Sequence, residues 1–188
     1  LSTTDTRETI MSISRAMVQA RGYNALSFRD IAKEVGVKSA SIHYHFPTKG
    51  DLGAALARRY TEDGSAYLEM LLEEPGDLAT RMRKYTDIFR SALVNDNRMC
   101  LCGIMAAEYV DLPVEVRTEV EGFTAANVAW LVKLLTLHGP AAEPEAIRGR
   151  ALAIFAAMEG AQLVARGRGD VAVFDDVMAA YRASGLLP

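Results

Sequence analysis

Cysteine is nearly absent from this chain: there are two in 188 residues, at positions 100 and 102. Two thiols cannot build the framework that staples small secreted domains. Their i, i+2 spacing also disfavours a bridge to each other, so a reducing cytoplasm is the simplest compartment. Histidine is scarce too, at three residues (His43, His45 and His138). No His-Glu-x-x-His pair, phosphate-binding loop or nucleophile elbow occurs, and Cys100-Leu-Cys102 lacks the second pair a zinc site needs. Catalysis therefore has no recognisable constellation, and neither a metal nor a cofactor is expected. Uninterrupted apolar runs stay short of the roughly eighteen residues of a membrane span, and no leader pattern opens the chain. The first residue is Leu1 rather than Met, as a trimmed N-terminus would show. No run of strand periodicity, internal repeat or low-complexity segment is present.

What is present is ordinary for a globular protein, with 50% hydrophobic and 24% charged residues. The length suits one small and one medium domain. Net charge is −3, but it is unevenly spread: residues 1–60 hold nine Lys/Arg against five Asp/Glu, and residues 61–188 hold twelve against nineteen. A basic head on an acidic body suits a nucleic-acid-binding module joined to something else.

Residues 27–52, SFRDIAKEVGVKSASIHYHFPTKGDL, are the most informative stretch. Ser27 followed by Asp30 is spaced like a capping box, and Phe28, Ile31, Ala32 and Val35 recur at helical spacing. Gly36 supplies the left-handed residue that ends a helix, and a second short helix reaches about His45. Its composition is polar: Lys38, Ser39, Ser41, His43, Tyr44 and His45 surround Ala40 and Ile42. A helix so short needs neighbours to hold it, and hydrogen-bonding side chains facing the base edges of a major groove explain its composition. Thr48, Lys49, Gly50 and Asp51 form another capped start, whose N–H groups and Lys49 would suit a phosphate.

The Phe-x-Asp-Ile-Ala start, the Gly-Val turn and Tyr-x-Phe-Pro-x-Lys-x-x-Leu together resemble the DNA-binding region of the TetR family of transcriptional regulators. The resemblance covers roughly residues 6–60. It implies an all-α fold with a three-helix helix-turn-helix domain at 1–48. An effector-binding and dimerisation domain follows at 49–188, with helix 49–72 linking the two. It implies DNA contacts by Ser27, Arg29, Lys38, Ser39, Ala40, Ser41, His43, Tyr44, His45, Thr48 and Lys49. One position departs from the pattern: family members commonly carry Tyr where this chain has His43, so Tyr44 shares the phosphate contact.

Elsewhere the periodicity predicts helices at 5–21, 78–94, 100–110, 114–138, 144–165 and 170–184, making nine with those above. Large, adaptable apolar residues in the body (Met70, Met82, Tyr85, Phe89, Met99, Cys100, Met105, Tyr109, Phe123, Trp130 and Met158) are candidates to line a pocket. An ordinary helical core explains each of them singly; the family resemblance implies a small-molecule effector for the set. It further implies a homodimer built on the last two long helices, with Phe155, Met158, Gln162, Phe174, Met178 and Tyr181 as interface candidates. An apolar last helix with little chain left to cover it points the same way.

Cys100, expected at a helix start near Arg98, raises a second reading, a thiol-based redox or electrophile-sensing regulator. Two plainly packed residues are the alternative there. A thiol enzyme and a nucleoid-type DNA binder without effector are further rivals. The expectation taken forward is a cytoplasmic homodimeric repressor, released from a palindromic operator by a small molecule.

Overall fold

The computed structural model describes residues 3–188. Among the described residues the chain is all-α, with nine helices in order: α1 Thr3–Arg21, α2 Phe28–Val35, α3 Ser39–His45, α4 Lys49–Glu73, α5 Leu78–Val94, α6 Leu101–Ala107, α7 Val114–His138, α8 Pro144–Arg168 and α9 Val171–Ala183. Two 3-10 turns, Tyr23–Ala25 and Tyr109–Asp111, punctuate it. By packing, the chain divides into two compact units. The first takes the chain up to Tyr60 with Leu101–Phe123, and the second takes Thr61–Cys100 with Thr124–Pro188. The division by role at 48/49 is a different one, since α4 and α7 each contribute to both compact units.

In the first unit the local signals act as read. The Ser27 hydroxyl accepts from the Asp30 N–H at 3.3 Å and starts α2, and Gly36 at φ 79° ends it with its N–H on the Ala32 carbonyl. At the start of α4 the capping box is reciprocal: Asp51 N–H donates to Thr48 Oγ1 and Thr48 N–H to Asp51 Oδ2, each at 3.0 Å. Ile10, Val18, Ile31, Ile42 and Leu52 are wholly buried between these short elements. Gly53 permits the closest approach, because a Cβ there would lie 2.6 Å from the Tyr23 ring and 3.0 Å from Val116.

In the second unit polar side chains tie helix ends and loops together. The buried Arg81 guanidinium donates to the carbonyls of Leu71 at 2.9 Å and Glu74 at 2.6 Å, and also to that of Gly76. It thus satisfies carbonyls that the end of α4 leaves open. Trp130 Nε1 donates to the Leu68 carbonyl at 2.7 Å. Gln162, with no exposure, accepts from the Cys100 N–H and donates to the Phe89 carbonyl, both at 2.7 Å. α7 is long and apolar enough to cross a bilayer, with a mean hydropathy of 1.2. Its Trp130, Leu131, Leu134 and Leu135 are buried within this unit, which accounts for that composition.

Three expectations are corrected. α6 ends at Ala107 rather than 110, because Leu112 precedes Pro113 and is held extended at ψ 133°, and the intervening residues tighten into a 3-10 turn. α8 passes through Gly167 and ends at Gly169, the glycine that adopts φ 64°. The interface candidates Phe155, Met158, Gln162, Phe174 and Met178 are buried inside the chain, where α8 packs on α9 and α5, and Tyr181 is half-buried. α8 is apolar on two faces, so periodicity alone could not say which one meets the core. The face it leaves open carries Leu152, Leu163 and Val164, each more than half exposed.

Gln162→Ala removes the partner of two buried backbone groups and opens a cavity. The expected loss is about 2–4 kcal/mol of stability, read as a lower urea midpoint at unchanged slope. A shift worth less than about 0.5 kcal/mol would show that water replaces the amide and that this bridge is dispensable.

Candidate functional site

α3 is held from beneath and open above. Ile42 is wholly buried and Phe46 nearly so, while Lys38, Ser39, Ala40, His43 and Tyr44 are exposed, Tyr44 at 77%. Several of the DNA-contact candidates also have roles within the fold. Ser27 caps α2, and Thr48 caps α4. His43 Nδ1 lies 3.3 Å from the Pro47 carbonyl oxygen, with its ring edge-on to Phe28. Arg29 and Thr48 are exposed, and Ser27, Ser41, His45 and Lys49 are half-buried. α3 thus presents an ammonium, a hydroxyl, a methyl and a phenol on one rigid element, the side-chain chemistry that reads groove edges and phosphates.

Lys49 is turned toward its own unit. Its ammonium sits 4.6 Å from the centre of the Tyr23 ring and donates to the Asn24 carbonyl at 3.2 Å. Burial holds its pKa below the usual lysine value, partly offset by the Glu108 carboxylate. Burial and the Glu115 carboxylate push the Tyr23 phenol up to about 12.

Glu108 was not singled out in the sequence, and it closes this corner. Its carboxylate accepts from the backbone N–H groups of Tyr23 and Asn24, while the Asn24 side chain donates to Asp111 at 2.8 Å. The residues just after α6 therefore hold the 3-10 turn that leads into α2. Nothing in a single Glu after a short helix signals such a latch, because its partners lie 84 and 85 residues away.

The pocket candidates separate. Met105, Tyr109 and Phe123 belong to the first unit, and Met70, Met82, Tyr85, Phe89, Met99, Cys100, Trp130 and Met158 to the second. Met70 and Tyr109 are 46% and 51% exposed, so neither lines an interior site; Tyr109 instead lies under the Arg117 guanidinium. Cys100 precedes α6 rather than sitting in its first turn, and both thiols are 1% exposed, so an accessible helix-start thiol is not what the fold presents.

Within the second unit Tyr85 stacks on Trp130 with ring centres 5.2 Å apart and meets Phe89 edge-on. Its hydroxyl donates to Asn127 Oδ1 at 3.3 Å. Beside this wall lies Glu159, whose two carboxylate oxygens are shut off from solvent with no conventional donor among the described residues. Burial pushes its pKa up from 4.5 to about 7, and the weakly donating Cys100 thiol offsets this only in part. Burial with the Glu159 and Cys100 charges raises Tyr85 well above an ordinary phenol. The sequence did hold a signal for Glu159: it is the one acid between Glu145 and Asp170, beside Met158 in the apolar middle of the helix.

A carboxyl with a raised native pKa favours the protonated form of the folded state. Its stabilising effect is complete below about pH 4.5, the ordinary value, and is lost as pH rises through about 7. Between pH 5 and 8 the protein should lose up to roughly 3 kcal/mol relative to Glu159→Gln, which cannot ionise. Urea midpoints for both proteins across that range check this. Parallel profiles would mean that Glu159 is solvated in the native state.

Comparison with known proteins agrees with this geometry. The family model described as bacterial regulatory proteins, tetR family, matches residues 10–56. No curated protein matches the chain. Among solved structures, a TetR transcriptional regulator from Legionella pneumophila is 32% identical, with 94% of this chain and 95% of that one covered at a TM-score of 0.88. A TetR-family regulator from Agrobacterium tumefaciens is 28% identical over 94% and 95%, at 0.86. The reduced form of Escherichia coli NemR shares the fold at 22% identity, with 94% of each chain covered and a TM-score of 0.80. The helix-turn-helix geometry and the likeness along almost the whole chain lead to one conclusion: this protein belongs to the TetR family of DNA-binding transcriptional regulators, which are not enzymes.

Proposed function

We propose that the protein is a homodimeric repressor that holds a palindromic operator through paired α3 helices and releases it when a small molecule enters the second unit. One observation carries the reading: the groove-reading chemistry of α3, with Tyr44 at 77% exposure, stands on a fully packed three-helix support. A single α3 of seven residues reaches few base pairs, so two heads related by a twofold axis are needed for an operator of useful specificity. Such a regulator works where the chromosome is, in the cytoplasm.

The pairing surface in this reading is the open face of α8, where Leu152, Leu163 and Val164 are exposed with Ala156 and Gly160. Small residues beside exposed apolar ones allow close helix packing against a second copy. The route from effector to DNA runs along residues 100–108. Cys100 is tied to Gln162 in the second unit, and eight residues later Glu108 holds the turn before α2 in the first. A shift of Cys100 would be carried by α6 to that latch. The thiol-sensing alternative gains no support from the geometry, since Cys100 and Cys102 are both closed to solvent.

Leu163→Asp tests the assembly on which this function depends. The variant should sediment as a folded monomer and bind operator duplex at least about 100-fold more weakly, because the second half-site no longer adds to the first. A variant that stays dimeric places the interface elsewhere. A monomer with undiminished affinity would overturn the palindromic reading.

A further inference from the structure

The second unit contains a carboxylate that the fold does not use. Both oxygens of Glu159 are sealed from water, and among the described residues no N–H or O–H donor reaches them. Two buried polar side chains of the second unit are committed elsewhere. The Gln162 amide bridges the Cys100 N–H and the Phe89 carbonyl, and Asn127 Oδ1 takes the Tyr85 hydroxyl. Among the described residues no Lys, Arg or His pairs with Glu159, and the Cys100 thiol moderates the effect of its burial. A buried carboxyl left in this condition is costly, and a purely structural role would be served better by Gln or Leu at the same position.

The neighbouring surface completes the picture. Tyr85 and Trp130 are stacked at 5.2 Å, and their π-faces attract positive charge as an apolar wall does not. An anion acceptor with no donor but a weak thiol, next to an aromatic pair, is complementary to one class of ligand. We propose that the effector is a small organic cation, a protonated amine, amidine or guanidine on a flat apolar body, whose charge pairs with Glu159 beside Tyr85 and Trp130. The inference rests on the repressor reading above and narrows it to a ligand class. An organic acid would meet the carboxylate unfavourably, and a neutral donor would leave its charge uncompensated.

Binding has a protonic consequence that separates these cases. Near pH 7 Glu159 is partly protonated. A fixed positive charge beside it favours the ionised form, so the carboxyl proton leaves to solvent as the cation binds. A neutral ligand that accepts the carboxyl proton in a hydrogen bond releases none, and a neutral donor releases less than a full charge does.

The test uses the full chain and matched probes: benzamidine and phenethylamine against benzamide and 2-phenylethanol, with benzyltrimethylammonium as a cation that cannot itself titrate. Calorimetry at pH 7 in two buffers of different ionisation enthalpy measures the protons released, and operator binding is followed in parallel. Expected are saturable binding of at least one cation with net proton release from the wild type, and weakening of about tenfold or more in Glu159→Gln. The same cation should weaken operator binding. Proton release by the wild type with benzyltrimethylammonium reads the carboxyl even if the variant folds poorly. Cation binding without proton release, equal binding by Glu159→Gln, binding of the neutral partners alone, or no binding of any cation each overturns the proposal. Failure of the repressor reading looks different: the protein without ligand would then not bind operator DNA at all.

Discussion

A seven-residue helix cannot sustain itself in water, and α3 is such a helix. The rest of the first unit supplies what it lacks. Ile42 and Phe46 pin it from below, and the left-handed Gly36 sets the angle at which the chain leaves α2. The Thr48–Asp51 box starts α4 directly after Phe46 and Pro47. Underneath, Glu108 fixes the turn before α2, and Gly53 lets α4 press against Tyr23 and Val116. The polar face can stay open to a ligand as large as DNA because so little of the support depends on it.

That same constraint made the head legible in the sequence. Each element is short, so each must be capped locally, and caps leave marks: Ser27 with Asp30, Gly36, and Thr48 with Asp51. The long helices of the body leave weaker marks at their faces. α8 is apolar on the side that meets α9 and again along Leu152, Leu163 and Val164, so its helical period fixes neither side as interior. Phe155 and Met158 were accordingly placed at a surface that they do not reach. Glu108 was invisible for another reason. A carboxylate that receives backbone N–H groups 84 and 85 residues away has no pattern of its own. The apolar run after Cys100 continues past Ala107, so periodicity extends the short helix beyond its true end, which the restriction before Pro113 sets.

Polar groups inside the body divide into two kinds. Arg81 and Gln162 are fully engaged, and they fasten the end of α4 and the residue before α6. Glu159 is not engaged, and its carboxyl is held near neutrality on the pH scale. In the repressor proposed above, the first kind would transmit displacement because it is rigid, and the second kind would give a ligand something to discriminate. Residues 100–108 join the Gln162-held backbone to the Glu108 latch without an intervening loop of any length.

The central claim is that α3 reads a specific, symmetric DNA sequence, and the most direct measurement is selection from a pool of randomised duplexes. The account predicts that the protein enriches an inverted repeat with half-sites about one helical turn apart. Tyr44→Ala should change base preference at the same position in both halves, and Lys38→Ala should weaken all sequences alike with a shallower salt dependence. Enrichment of no motif, or of one whose preferences are untouched by every substitution on the exposed face of α3, would contradict it.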